Sequence, residues 1–390
     1  MKTIKILGVA CLCALAIGPV SAQWWQKNLE TLPQKKGYIP GSFCFHDYKS
    51  ALMGKKVGLV VNHTSGFKGI DLIDTLIRQG VQVEKIFAPE HGFRGKAEAG
   101  QYLSNGRDEK TGIEVISLYG KNKKPSPENL SNLDVLIFDI QDVGARFYTY
   151  ISTLKLVMEA CAENNKVLIV CDRANPLGFC VSGPILESSY TSFVGAFPVP
   201  VVHGLTVGEL ARMAVAKNWF SQARKLKLQI VKCRGYRHAD TLFPEKAPSP
   251  NLRTPLSILA YPSLCLFEGT SVSVGRGTAF PFEVFGCPDS AFGPFSFVPE
   301  QKTDGSPPPL FAGQTCYGFR LNMDSVRSCF DTRFVRIAYQ RSAHKELFFN
   351  AFFSKLAGNE TLMKDVKSGR PYKESLGPYM KERKKYLLYP

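Results

Sequence analysis

Acids, amides, histidines and arginines collect at five points of this chain, each just past an apolar run. They are Asn62-His63-Thr64-Ser65; Glu90-His91-Gly92-Phe93-Arg94; Asp139-Ile-Gln141-Asp142 with Arg146 and Tyr148; Asp172-Arg173-Ala-Asn175; and His203-Gly204. A carboxylate in such a place suits general acid or base work. An arginine suits an anion, which its planar fork can hold through two parallel N–H bonds. Later in the chain Glu268 and Arg276 carry the same residue types, Arg276 in a Gly-Arg-Gly context that lets backbone approach a ligand closely.

Several chemistries are disfavoured by what the sequence lacks. The first strand-to-helix turn is Asn-His-Thr-Ser-Gly and not Gly-x-Gly-x-x-Gly, so a Rossmann-type dinucleotide site is not expected. There is no Walker A sequence and no Gly-x-Ser-x-Gly elbow. His63, His91 and His203 with Asp139 and Asp142 have ligand chemistry, but no His-x-His or His-Glu-x-x-His spacing supports a metal centre. No cofactor and no metal are expected. Glu209 closes a Thr206-Val-Gly-Glu209 capping box and reads as structural.

The elements that must position these residues are legible as alternating apolar runs. Val57–Val61, Val81–Phe87, Ile113–Leu118, Val135–Asp139, Lys166–Cys171, Val199–Val202 and Leu226–Val231 read as buried strands. Between them lie helical rhythms, one with Ile70, Ile73, Leu76 and Ile77 on a face, another with Tyr150, Ile151, Leu154, Val157, Met158 and Cys161. The alternation implies an α/β fold, a Rossmann-like parallel sheet with helices on both faces. In such sheets ligands bind past the carboxyl ends of the strands, so five polar strand ends on one edge suggest a site. After Arg234 the alternation stops and glycine, proline and aromatics rise. The expected organisation is residues 23–234 as the α/β domain and 235–390 as a smaller α+β domain, with the active-site cleft between them. In the second part Phe334–Tyr339 alternates like a strand, while Lys345–Leu356 and Thr361–Lys367 look helical and end at Gly358 and Gly369.

Composition sets the outer bounds. The chain has 390 residues and a net charge of +16. No basic run alternates with aromatics, so nucleic acid is not an expected partner. Residues 1–22 read as a secretory signal: Lys2 and Lys5, an apolar Ile6–Ile17 and a Val20-Ser-Ala22 cleavage site. Export to the periplasm or the exterior is therefore expected. No other run reaches the ~20 apolar residues of a membrane helix, so no membrane association is expected after signal removal. Of 11 cysteines, Cys11 and Cys13 fall in the signal, and the remainder lack Cys-x-x-Cys spacing. Cys161 and Cys171 sit in apolar patterns and read as buried thiols. Neither disulfide connectivity nor oligomeric state follows from the sequence.

Taken together, the pieces GLVVNHTS, APEHGFRG, DVLIFDIQDVGARFYTY, DRANPLG, VHGLTVGELA, PSPNL and YPSLCLFEGTSVSVGRGTAFPFEVFG resemble the NamZ-type exo-β-N-acetylmuramidases, formerly a family of unknown function. One departure is Phe179, where that family usually has a second glycine after Gly178. The resemblance implies release of terminal N-acetylmuramic acid from the non-reducing end of peptidoglycan fragments, in cell-wall turnover. It also implies a Rossmann-like first domain, a smaller second one and a site between them.

Glycoside hydrolysis commonly needs a protonated carboxylic acid and a second carboxylate that serves as nucleophile or base. Glu90 is the first choice for the acid. Asp139, Asp142 and Glu268 are candidates for the second group, with Glu283 a rival. An N-acetyl sugar also allows its own acetamido group to attack, and the sequence does not choose among these routes. The lactyl carboxylate of muramic acid calls for an arginine, with Arg276 ahead of Arg94, Arg146 and Arg173. Asn62, His63, His91, Gln141, Tyr148, Asp172, Asn175 and His203 complete the expected binding set. Two other readings are open: a metal-dependent hydrolase of another wall bond, and a non-catalytic binder of wall fragments, which needs the arginines and aromatics but not the acids.

Overall fold

The structure is a computed structural model that describes residues 35–90, 93, 106–301 and 307–390. The expected signal segment, Trp24, Trp25, His91 and Arg94 lie outside the described residues.

A seven-stranded sheet organises the first half. Its strands are β1 (Lys56–Val61), β4 (Gln82–Ala88), β5 (Gly106–Arg107), β6 (Glu114–Ser117), β7 (Val135–Asp139), β8 (Val167–Cys171) and β11 (Lys227–Val231). Two short strands, β2 (Gly66–Phe67) and β3 (Ile70–Asp71), form a hairpin just beyond β1. The sheet order is β11-β8-β7-β1-β4-β6-β5, parallel except for the edge strand β5. From β1 the chain steps outward through β4 to β6, then returns to β7 on the other side of β1. The β1/β7 boundary is thus the point where the winding reverses, the usual place for a ligand crevice. Val57 pairs with Val135 and Val61 with Asp139, which puts Asn62 and the Asp139–Arg146 turn side by side.

Strand residues alternate between two cores, one on each face of the sheet. Val60, Leu136 and Phe138 face α3 (Tyr150–Glu163) and α4 (Val207–Ala216). Leu59, Val61 and Ile137 face α1 (Leu72–Arg78) and the turns around Tyr48 and Leu52. A parallel sheet covered on both faces needs near-continuous apolar strands, and β7 is buried at every position. A short α2 (Pro127–Leu130) leads into β7.

Two readings of this half need correction. In α1 the buried residues are Leu72, Ile73 and Leu76, while Ile70 and Ile77 are exposed, because Ile70 belongs to β3 and precedes the helix. The run at Val199–Val202 is a strand, β10 (Pro200–Val202), but it pairs antiparallel with β9 (Ser182–Ile185) in a separate ribbon. Only four of the five polar ends therefore belong to the main sheet. The fifth is still brought alongside, since Val202 bridges Ala145 and His203 N–H donates to Gly144 O.

The second half opens with α5 (Pro255–Leu264). A three-stranded antiparallel sheet follows, in the order β12 (Val284–Cys287), β14 (Cys316–Arg320), β13 (Phe295–Phe297). Then come α6 (Arg333–Arg341), α7 (Ala351–Ala357), α8 (Thr361–Lys367) and α9 (Gly377–Arg383). The segment Phe334–Tyr339, read as a strand, is in α6. Its Val335 and Ala338 are buried three residues apart while Ile337 faces water, which is a helical and not an alternating pattern. Gly358 ends α7 in the left-handed conformation, φ +78°. One core runs through both halves and includes Phe138, Phe147, Leu252, Phe267 and Phe353. A Cys180–Cys329 disulfide joins them covalently, and Cys161 and Cys171 are buried free thiols. Among the described residues no helix is long and apolar enough to cross a membrane.

Candidate active site

A cleft lies where the two halves meet. Glu90, at the end of β4, lines it together with Tyr148, Thr149 and Tyr150 from the start of α3. Tyr261, Glu268, Arg276 and Phe282 line it from the second half. Its apolar wall is a chain of edge-to-face rings: Tyr150 on Tyr148 at 4.9 Å, Tyr148 on Tyr261 at 5.8 Å, and Tyr261 on Phe282 at 4.9 Å. Rings with hydroxyl tips suit a ligand that is apolar on one face and polar at its rim. Tyr148 donates to Pro248 O at 2.6 Å, which fixes the wall to the connector between the halves. Burial raises the pKa of both Tyr148 and Tyr150, so both stay neutral donors.

Two carboxylates line this cleft, one from each half of the chain. Glu90 is half-buried and its Oε2 accepts from the Thr149 hydroxyl at 2.9 Å. Glu268 Oε1 accepts from Arg276 Nε, and the Arg276 guanidinium stacks 4.9 Å from the Phe282 ring. Burial lowers the Arg276 pKa, but Glu268, through charge and hydrogen bond, more than reverses that and the pKa rises. Arg276 is therefore a permanent cation. Its two terminal nitrogens make no hydrogen bond among the described residues.

The other acids and arginines are engaged elsewhere. Asp139 is fully buried, and Arg173 grips it through Nε at 2.6 Å and Nη2 at 2.8 Å. A bidentate pair of this kind leaves neither partner for a ligand in the cleft. Asp142 is also buried; its Oδ2 accepts from Gly144 N at 2.7 Å and stands 3.7 Å from His203 Nε2. Its charge also helps raise the pKa of Tyr148 and Tyr150. Arg146 is wholly buried and donates to four backbone carbonyls, those of Pro184, Val199, Leu356 and Ala357, at 2.6–2.9 Å. The last two are the open end of α7, so Arg146 caps that helix from the first half of the chain. A side chain on Gly358 would come within 2.6 Å of Arg146 Nη2, which explains the glycine there beyond its φ. Burial pulls the Arg146 pKa down to about 9, which still leaves it charged at neutral pH.

Asp172 was expected at the site and instead anchors α4. It accepts from Gly208 N at 2.8 Å, Thr206 Oγ1 at 2.7 Å and the Tyr389 hydroxyl at 2.7 Å. Burial, with Glu209 nearby, pushes its pKa up to about 6. Glu209 does complete the capping box, and it also binds His238 Nε2 at 2.9 Å. Asn175 bonds Leu205 O and Leu177 N, both at 2.8 Å, and packs so closely on Gly144 (φ +81°) that no side chain fits there. Gln141 holds Asp142 O and Ala174 O, and His63 contacts Ala247 O at 2.8 Å. Asn62 is buried, accepts from the Thr64 hydroxyl and lies beside Tyr150. His203 is buried and receives Leu205 N–H on Nδ1 at 3.2 Å. Of the expected set, Glu90, Tyr148, Glu268 and Arg276 meet in the cleft. Asp139, Asp142, Arg146, Asp172, Arg173, Asn175 and His203 are buried in the frame around it. Thr149, Tyr150, Tyr261 and Phe282 line the cleft without having been expected there.

The model for the N-terminal part of exo-β-N-acetylmuramidase NamZ matches residues 57–256, and the model for its C-terminal part matches 259–389. The chain belongs to the NamZ family. The peptidoglycan β-N-acetylmuramidase NamZ of Bacillus subtilis (strain 168) is 38% identical over 375 residues, covering 88% of this chain and 89% of that one. Two crystal structures of DUF1343 family proteins from Bacteroides fragilis NCTC 9343 have the same fold. One is 36% identical with a TM-score of 0.83, over 90% of this chain and 99% of that one. The other is 28% identical with a TM-score of 0.79, over 92% and 100%. The two NamZ-family models meet at the start of α5, and the cleft is lined from both sides of that junction.

Proposed function

We propose that this chain is a glycosidase that releases terminal N-acetylmuramic acid from the non-reducing end of peptidoglycan fragments. One observation carries the reading: Glu90 from the sheet and the Glu268–Arg276 pair from the second half face a single ring-walled cleft. Glu90 gives its proton to the glycosidic oxygen as the bond breaks. Glu268 is the second carboxylate, because it lines the cleft, whereas Asp139 is closed off by Arg173 and Asp142 is buried and does not line it. The free nitrogens of Arg276 take the lactyl carboxylate, the group that distinguishes muramic acid from glucosamine. The tyrosine wall carries the sugar ring.

Work outside the cytoplasm, in wall turnover, follows from the substrate. The Cys180–Cys329 disulfide supports it, because such bonds persist in oxidising compartments. So does the signal-like pattern of residues 1–22. Incubation with N-acetylmuramyl-β-1,4-N-acetylglucosamine, read by mass, tests the activity. Free N-acetylmuramic acid is the expected product, and an unchanged disaccharide overturns the proposal.

A further inference from the structure

Thr149 stands at the N-cap of α3, where a threonine hydroxyl ordinarily accepts a backbone N–H from the first turn of its helix. Here it makes no such bond. The helix receives only the Thr149 carbonyl, which accepts from Ser152 N and Thr153 N at 3.0 Å each. The hydroxyl instead donates to Glu90 Oε2 at 2.9 Å, across 59 residues of sequence. The next residue, Tyr150, brings its hydroxyl within 3.5 Å of the Glu90 carbonyl oxygen. Both Thr149 and Glu90 line the cleft. The start of α3 thus holds the carboxylate and the backbone of Glu90 while leaving its own first turn without a side-chain cap.

We infer that Thr149 is the positioning residue of the acid: by donating to Oε2 it leaves Oε1 as the oxygen that carries the transferable proton. The inference rests on Glu90 being the acid. A carboxylic acid has one proton and two oxygens, and only the oxygen facing the leaving group is productive. With Oε2 occupied as an acceptor from Thr149, the proton resides on Oε1. In the reaction that proton moves to the glycosidic oxygen, which takes the electrons of the breaking C1–O bond, and Glu90 is left as a carboxylate. The Thr149 hydroxyl keeps its own proton throughout and strengthens its bond as charge appears on Glu90. A hydrogen bond to a group that becomes charged in the transition state lowers the barrier without tightening substrate binding.

The test compares two substrates that differ only in their need for an acid. In the disaccharide the departing N-acetylglucosamine would leave as an alkoxide unless protonated; 4-nitrophenyl β-N-acetylmuraminide releases a stable 4-nitrophenolate. Thr149→Val and Thr149→Ala both remove the hydroxyl and differ in bulk, so a packing fault in one is exposed by the other. For both, kcat/KM on the disaccharide should fall roughly tenfold to a hundredfold, the worth of one hydrogen bond to a charged group. On the aryl glycoside both should stay within about threefold of the parent, since kcat/KM reports transition-state stabilisation and that departure needs no proton. Thr149→Ser should recover the disaccharide rate, and Tm should hold in all three because no helix cap is lost. Equal losses on both substrates, or failure of serine to rescue, would make the role purely structural and overturn the inference. A normal disaccharide rate in the valine variant beside an inactive Glu90→Gln overturns the inference alone. An active Glu90→Gln overturns the reading of Glu90 beneath it.

Discussion

Arg276 binds Glu268 through Nε alone, so one side chain can serve an acid of the protein and an acid of the ligand at once. The pair sits half-exposed at the cleft, where Phe282 supports the guanidinium from below. In the proposed function, a sugar bearing a lactyl carboxylate would find a cation already oriented. A sugar without it leaves part of that cation unpaired in a partly dry site, which is costly.

Specificity should follow from this pair. The protein is expected to prefer muramic-acid ends over N-acetylglucosamine ends by on the order of 10² or more, the effect of two charge-assisted hydrogen bonds. Arg276→Ala should slow both substrates, because Glu268 loses its partner, but slow the muramic one more and so narrow the ratio between them. Competition between the two disaccharides in one mixture, read by mass, measures the ratio. Equal rates in the parent protein would show that the lactyl group is not read.

Arg146 should behave as a frame residue, with its loss felt in stability. Arg146→Met removes this donor from the buried carbonyls of Pro184, Leu356 and Ala357 and uncaps α7, and a buried group left unsatisfied costs about 1–3 kcal/mol. Urea unfolding should show that loss, while the folded fraction keeps the parent KM. A raised KM at unchanged stability would return Arg146 to the binding set.

Asp172 gives a pH signature of unusual sign. Its folded pKa is raised from 3.8 to about 6, so between those values the folded protein holds a proton that the unfolded chain has lost. Stability from this group is full below pH ~4, declines as pH rises, and is flat above ~6. The total change is about 3 kcal/mol at most. Urea titrations of the parent and Asp172→Asn should diverge in this sense across pH 4–6, because asparagine does not titrate. A constant gap between them would place the carboxyl's proton elsewhere.

How much of this was legible in the sequence depended on what each residue type can disclose alone. β1, β7 and β8 were plain because a doubly covered parallel strand must be apolar at successive positions, and α3 because its buried residues keep the helical spacing. Polar strand ends marked the right edge of the sheet. Composition does not say whether an arginine meets an acid, a ligand or a carbonyl. Arg173 meets the acid Asp139 34 residues away, Arg276 the acid Glu268 8 residues away, and Arg146 a carbonyl 210 residues away. The antiparallel ribbon of β9 and β10 was hidden because three buried residues look alike in either kind of pairing. Thr149 and Tyr261 escaped notice because one reads as an ordinary helix start and the other as core. A tyrosine run beside polar strand ends was the available signal for a sugar wall.

The central claim is that Glu90 supplies the proton for release of muramic acid, and one kinetic comparison tests it most directly. Parent protein and Glu90→Gln are each incubated with N-acetylmuramyl-β-1,4-N-acetylglucosamine, and free N-acetylmuramic acid is followed by mass. Glutamine keeps the shape and can still accept from Thr149, but has no acidic proton to give. The expected result is a fall in turnover of about 10² to 10⁴, the usual contribution of general acid catalysis, with the same Tm and the same affinity for the disaccharide. Release by Glu90→Gln within about threefold of the parent, a far smaller loss than general acid catalysis implies, would contradict the account.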